Sequence, residues 1–176
     1  MCLVFFWDCP KVFSHFARNE GDYSDPMDDT DRRLLRILQR DGRITNVDLA
    51  RQANLSPAAC FDRVKRLQRN GVILGYSAML DPAKLDCALL VFIEIVLDRT
   101  TEDACQAFAK AVVEAPEVLE CHMVAGNFDF LIKARVRDMT AYRAFLGETL
   151  LRMPGVRETH TFAVMEELKN TSALPV

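Results

Sequence analysis

The chain has 176 residues, 50% of them hydrophobic and 27% charged. That balance excludes wholesale disorder and gives material for one ordinary domain or two small ones. The formal net charge of -3 excludes a uniformly basic nucleic-acid coat, but the charge is unevenly spread. Residues 28–70 carry ten Lys/Arg against six Asp/Glu, residues 71–176 carry ten against fifteen, and residues 1–27 are net negative. A basic module on an acidic body suits a protein that turns one face to a polyanion.

Residues 1–26 open with a short apolar run at 3–7, ended by Asp8 and Pro10. No positive segment precedes the run and it is far too short to span a bilayer, so neither export nor a membrane partner is expected. Residues 3–16 can be read as an amphipathic turn or partner-binding tail. The plainer reading is an extension outside the folded body, with Met27 as an alternative start and 20–26 as a polar linker.

Residues 29–40 carry Leu34, Leu35, Ile37 and Leu38 on one stripe, the spacing of an amphipathic helix. Asp28, Asp29 and Asp31 crowd its start, where carboxylates complement the helix dipole. Asp41-Gly42 stops it. Thr45 caps a second helix, with Asp48 three residues on, and Leu49, Ala50 and Ala53 form a short inner face. Asn54 fills a turn position that favours a left-handed residue. Ser56-Pro57 starts a third helix, Ser capping and Pro taking the first position, and Gly71 ends it. Cys60, Val64 and Leu67 face inward. Two short helices, a tight turn and a basic second helix make a helix-turn-helix that sets one helix in the major groove of DNA.

The candidate DNA contacts are Thr45 and Asn46, then Ser56, Pro57, Ala58 and Ala59 at the slim end of the third helix, then Asp62, Arg63, Lys65, Arg66 and Arg69. Arg63 and Arg66 are expected to reach base edges or phosphates, Lys65 and Arg69 phosphates. Residues 72–80 are rich in strand formers and read as a strand leaving the module, which spans 27–81. Residues 82–87 are the linker.

From 88 to 168 the pattern changes. Residues 88–97 form an almost continuous apolar strand, 101–115 a helix closed by Pro116, 118–124 an alternating strand, and 126–129 a turn. Residues 130–136 form the partner strand, 139–152 a helix broken by Pro154-Gly155, and 156–165 the last strand. The tail 169–176 shows no periodicity. The order βαββαβ is the ferredoxin-like plan, one antiparallel sheet with both helices on one face. The fold class is α+β, a winged-type helix-turn-helix followed by this domain. Self-association over the open sheet face is expected.

Six cysteines occur with no C-x-x-C pair, and the three histidines do not cluster, so neither metal nor cofactor is expected. Cys60 and Cys121 read as buried thiols in a reducing cytoplasm. No nucleotide loop or catalytic constellation stands out, and His122, His160, Glu94 and Lys133 are not read as acid/base groups.

Residues 27–173 resemble the leucine-responsive/AsnC (Lrp/AsnC) family of bacterial transcription regulators. The segments that carry the resemblance are DGRITNVDLA, NLSPAACFDRVKRL, LLVFIEI, ECHMVAGNFDFLIKARV, MTAYRAFLGETLLRMPGV and VMEELK. It implies a double-stranded DNA partner and an amino-acid effector, leucine first, and dimers that assemble to octamers or larger rings. It also implies an effector site around Gly126, Asn127, Phe128 and Asp129, with two subunits contributing. Asp129 would accept from the effector ammonium and the turn amides would meet its carboxylate. Met123, Leu150, Thr161 and Val164 would neighbour its side chain. Where family members often carry Asp, this chain has Asn127. Two other readings stay open: an effector-independent architectural DNA-binding protein, and an enzyme or metabolite carrier on the ferredoxin-like plan.

Overall fold

The computed structural model describes residues 27–176; the expectation of an extension over 1–26 lies outside the described residues. The chain divides into two compact units. One takes in residues 27–79 together with Lys169–Val176, the other Leu80–Leu168.

The first unit holds α1 (Asp29–Arg40), α2 (Asn46–Ala53) and α3 (Pro57–Arg69). Each starts on a side-chain cap. Asp28 and Asp31 form a reciprocal capping box on α1, Thr45 accepts from the Asp48 amide, and Ser56 accepts from the Ala59 amide. Asn54 ends α2 in the left-handed region at φ 58°. There the Asn54 amide donates to the Arg51 carbonyl and the Leu55 amide to that of Ala50, so two carbonyls left open at the helix end are satisfied. Gly71 ends α3 in the same way at φ 67°, with the Val72 amide returning to Leu67. Leu34, Leu49, Ala50, Ala53 and Cys60 form the small core. Small residues on α2 let its neighbours come close, which is how three helices this short bury an interior.

One expectation is corrected here. Residues 72–80 form no strand. A strand needs a hydrogen-bonding neighbour, and the described residues supply none, so Leu74, Met79 and Leu80 stay exposed. The tail, which shows no periodicity, is held at its last residues. Arg36 donates to the Val176 carbonyl at 2.6 Å and Gln39 to that of Leu174 at 3.1 Å, which ties the last residues of the tail to α1.

The second unit begins with a 3₁₀ turn, Pro82–Leu85, then β1 (Leu89–Leu97), α4 (Glu102–Val113), β2 (Val118–Met123), β3 (Phe130–Val136), α5 (Met139–Ala144) and β4 (Val156–Ala163). The sheet order is β2-β3-β1-β4, every pair antiparallel, the ferredoxin-like arrangement. Val91, Ile93, Ile95 and Leu97 of β1 pack with Phe130 and Ile132 of β3 against Phe108 and Val112 of α4 and Tyr142, Phe145 and Leu150 beyond. Both helices therefore cover one face.

Two irregularities shape this unit. The expected continuous helix over 139–152 is α-helical only to Ala144. It opens into a π turn at Phe145–Thr149 and tightens to 3₁₀ at Leu150–Arg152. Phe145 and Leu150 lie five residues apart, and the π spacing turns both into the core, where an α spacing would swing one away. A bulge between Val118 and Glu120 breaks the expected alternation of β2. Val118 and Cys121 consequently share the core side, while Glu120 and His122 look the other way.

Candidate nucleic-acid interface and effector loop

Helix α3 has one buried edge and one open face. Cys60 and Leu67 are buried, and Val64 packs on the same core. By helical spacing the opposite face carries Ala58, Phe61, Asp62, Lys65 and Arg69, all exposed. Lys65 Nζ lies 4.7 Å from the centre of the Phe61 ring, a cation–π contact that extends the ammonium along the open face. Phe61, 48% exposed, was not among the sequence candidates. Its signal was available, an aromatic four residues before a lysine on the polar side of a helix.

Arg63 and Arg66 do not stand on that face, and this corrects the sequence reading. Arg63 Nη1 donates to Asp28 Oδ2 at 2.6 Å and to Asp31 Oδ1 at 2.9 Å, and Arg66 Nη2 donates to Asp31 Oδ2 at 2.6 Å. Both arginine side chains are only 30% exposed, and that of Asp31 is 0% exposed. The physical reason lies in the wheel: Arg63 is three residues past Cys60 and borders the buried edge, with Arg66 next to it on the α1 side. The Asp31 backbone amide, then the Arg63 guanidinium, holds the Asp28 carboxyl below its ordinary pKa. Asp28, then Asp31, raises that of Arg63. Asp31 was missed as a functional residue although its spacing gave it away. It sits three and four residues before Leu34 and Leu35, on the apolar stripe.

The other candidates on this unit divide by role. Thr45 donates to Asp48 Oδ2 at 2.7 Å as well as capping α2. Asn46 donates to the Pro57 carbonyl at 2.8 Å and ties α2 to the start of α3. Ser56 caps α3. These three build the turn. Pro57 and Ala58 are exposed at the slim end of α3 and Ala59 is half-buried beside them.

In the second unit, the loop Gly126-Asn127-Phe128-Asp129 meets the far end of β1. The Asp129 amide donates to the Ile95 carbonyl at 2.9 Å and its carbonyl accepts from Val124 at 3.0 Å. Its carboxylate accepts from the Leu97 amide at 2.8 Å and from the Thr100 hydroxyl at 3.2 Å. Asp129 is therefore a latch between loop and strand, and an effector ammonium would have to share it. Gly126 and Asn127 are exposed, with open space about Gly126. Met123 pairs with Phe130 beside the loop and is 41% exposed.

The remaining effector candidates have other partners. Leu150 is fully buried in the core. Thr161 shares a hydrogen bond with the Tyr142 hydroxyl. The Val164 amide donates to Leu90, near the start of β1, whereas the loop joins at Ile95, about 17 Å further along the strand. In one chain, Met123 lies beside the loop and Val164 at the other end of β1.

On the sheet face away from the helices, Phe92 pairs with Phe162, Glu94 lies between Leu131 and His160, and Lys133 bridges to Glu120 at 2.8 Å. The Lys133 ammonium, with His122 behind it, holds the Glu120 carboxyl below its ordinary value against the opposing effect of burial. Burial pushes the Cys121 thiol up to about 11 and raises that of Cys60. Among the described residues the cysteines 60, 87 and 121 are free thiols. No helix among those residues is long and apolar enough to cross a membrane.

Residues 27–73 match a winged helix-turn-helix DNA-binding domain and residues 90–174 the Lrp/AsnC ligand binding domain. The chain is 52% identical over 150 residues to the leucine-responsive regulatory proteins of Escherichia coli and Klebsiella pneumoniae, covering 85% of this chain and 92% of theirs. Among solved structures it is similar to a Neisseria meningitidis transcriptional regulator in complex with L-Met, at 38% identity and TM-score 0.82, covering 85% of this chain and 97% of that one. An AsnC family regulator from Agrobacterium tumefaciens is similar at 34% identity and TM-score 0.81, again over 85% of this chain and 97% of that one. With its DNA-reading unit and its ligand-binding unit matched in order, the chain belongs to the Lrp/AsnC family of transcriptional regulators.

Proposed function

We propose that this DNA-binding, amino-acid-responsive regulator is a cytoplasmic homo-oligomer that senses leucine. The observation that carries the DNA half is the open face of α3, where Ala58, Phe61, Asp62, Lys65 and Arg69 are exposed on a helix locked at both ends by its caps. Ala58 keeps the leading end narrow, Lys65 and Arg69 meet phosphates, and Asp62 accepts from a cytosine amino group in the groove.

Leucine comes first because the relatives at 52% identity are leucine-responsive proteins. Methionine follows, since the Neisseria relative carries it. Both offer an unbranched Cβ and an apolar end that Met123 can meet. The ammonium shares the Asp129 carboxylate, and the exposed amides near Gly126 take the carboxylate. A second copy closes the site. The sheet face with Phe92, Leu131 and Phe162, and the unpaired segment 72–80, supply apolar surface for a dimer that assembles to an octamer or larger.

Calorimetric titration of the intact oligomer with the twenty amino acids tests the effector, and light scattering of the same samples the assembly. Tightest binding by leucine is expected. Binding by none would favour the architectural reading, and a monomer at every concentration would remove the shared site.

A further inference from the structure

The buried carboxylate of Asp31 has a role that the DNA-reading face alone does not reveal. α3 carries four cations, Arg63, Lys65, Arg66 and Arg69. A helix that brought all four to the duplex would bind any sequence, because phosphate contacts carry affinity without sequence information. The fold divides them two and two. Lys65 and Arg69 are exposed. Arg63 and Arg66 turn to α1, where both Asp31 oxygens receive them and Asp28 takes a second bond from Arg63. Asp31 also accepts from the Asp28 amide at 3.3 Å, so the same carboxylate closes the α1 cap and fixes the α3 arginines.

We propose that Asp31 is the specificity-determining positioning residue of the DNA-reading unit: its sealed carboxylate withholds Arg63 and Arg66 from phosphates and fixes the rotation of α3 that presents Phe61, Asp62, Lys65 and Arg69. The proposal rests on α3 being the helix that meets DNA. Two arginines 30% exposed stand close enough to solvent to swing out once the acceptor is lost. Loss of Asp31 therefore adds sequence-independent contacts and blurs the angle at which the face is offered. The protein binds DNA more indiscriminately while operator recognition weakens.

The test is the salt dependence of DNA affinity for the full-length protein, on a random-sequence duplex and on an operator fragment selected in vitro with the wild type. Each phosphate newly contacted steepens the slope of log K against log salt by about 0.9. Asp31→Asn is expected to steepen the slope on random DNA by one to two such steps and to lower the operator-to-random ratio about tenfold or more. Arg63→Gln/Arg66→Gln in the wild-type background is expected to leave the slope on random DNA in place. Adding those two changes to Asp31→Asn should return its slope to the wild-type value, which a merely structural role would not do. A folded Asp31→Asn protein with the wild-type slope and ratio overturns the proposal. So does a shallower slope in Arg63→Gln/Arg66→Gln, since the arginines would then already be on phosphates. Should Asp31→Asn lose its helical circular dichroism, the Arg63→Gln/Arg66→Gln slope decides alone. Lys65→Gln/Arg69→Gln separates the underlying reading: a shallower slope supports α3 as the DNA helix, and an unchanged one overturns that reading and the proposal with it.

Discussion

Asp129 has two duties, and two substitutions separate them. Its carboxylate holds the Leu97 amide and the Thr100 hydroxyl, and in the proposed function it also receives the effector ammonium. Asp129→Ala removes both internal acceptors and strands a half-buried amide. A bond to an ionised acceptor is worth about 1.5–3 kcal/mol, and the exposed Thr100 partner adds little, so the loss is about 2 kcal/mol. For a unit of this size that lowers Tm by roughly 8–16 °C. Asp129→Asn is different. Its amide oxygen still accepts from Leu97, its NH₂ can donate to Thr100, and Tm should fall by less than about 4 °C. The negative charge is nevertheless gone. Losing one charge-assisted bond to the ammonium weakens leucine binding by roughly 10–100-fold. Differential scanning calorimetry and isothermal titration at one fixed protein concentration read the two effects, the concentration being held because oligomers melt by mass action. Wild-type leucine affinity in Asp129→Asn would leave Asp129 a latch only. Wild-type Tm in Asp129→Ala would refute the latch.

Other consequences are simpler to check. Ser56→Ala removes the acceptor of the Ala59 amide at 3.2 Å and should cost the helical unit about 1 kcal/mol in urea unfolding. Asp28, Glu120 and Asp138 all have folded pKa values below the ordinary 3.8 or 4.5, so each is harder to protonate folded than unfolded. Their contribution is complete above those ordinary values and is lost as pH falls through the lowered ones, so melts should show this part of the stability falling below about pH 4.5. Cys121, with its thiol pushed up to about 11, should react with iodoacetamide at pH 7 far more slowly than a free peptide thiol; equal rates would mean that it is open to solvent.

The sequence announced its helices through their ends. Asp28, Thr45 and Ser56 are caps, and Asn54 and Gly71 take the left-handed positions that close α2 and α3. The four strands of the second unit were legible as well, because each is short, apolar on one side and bounded by a break. What stayed hidden depends on neighbours. Residues 72–80 have strand chemistry and no strand partner among the described residues. The π turn at Phe145–Thr149 answers to a core that must receive both Phe145 and Leu150, which no local pattern reports. Arg63 and Arg66 looked like DNA contacts because charge on a helix reads as solvent-facing. Only the fold shows that Asp31, from a helix 32 residues earlier, is waiting for them. Leu150 and Thr161 were drawn into the effector site by resemblance, and packing assigns one to the core and the other to Tyr142.

The central claim is that one protein reads DNA with α3 and changes that reading when an amino acid binds at the Asp129 loop. Its most direct test is the affinity of the full-length protein for its selected operator, measured by fluorescence anisotropy with and without each amino acid. A shift in Kd with leucine, absent in Asp129→Asn at the same concentration, is predicted. An operator affinity indifferent to every amino acid, from a protein that is folded and oligomeric, would contradict the claim.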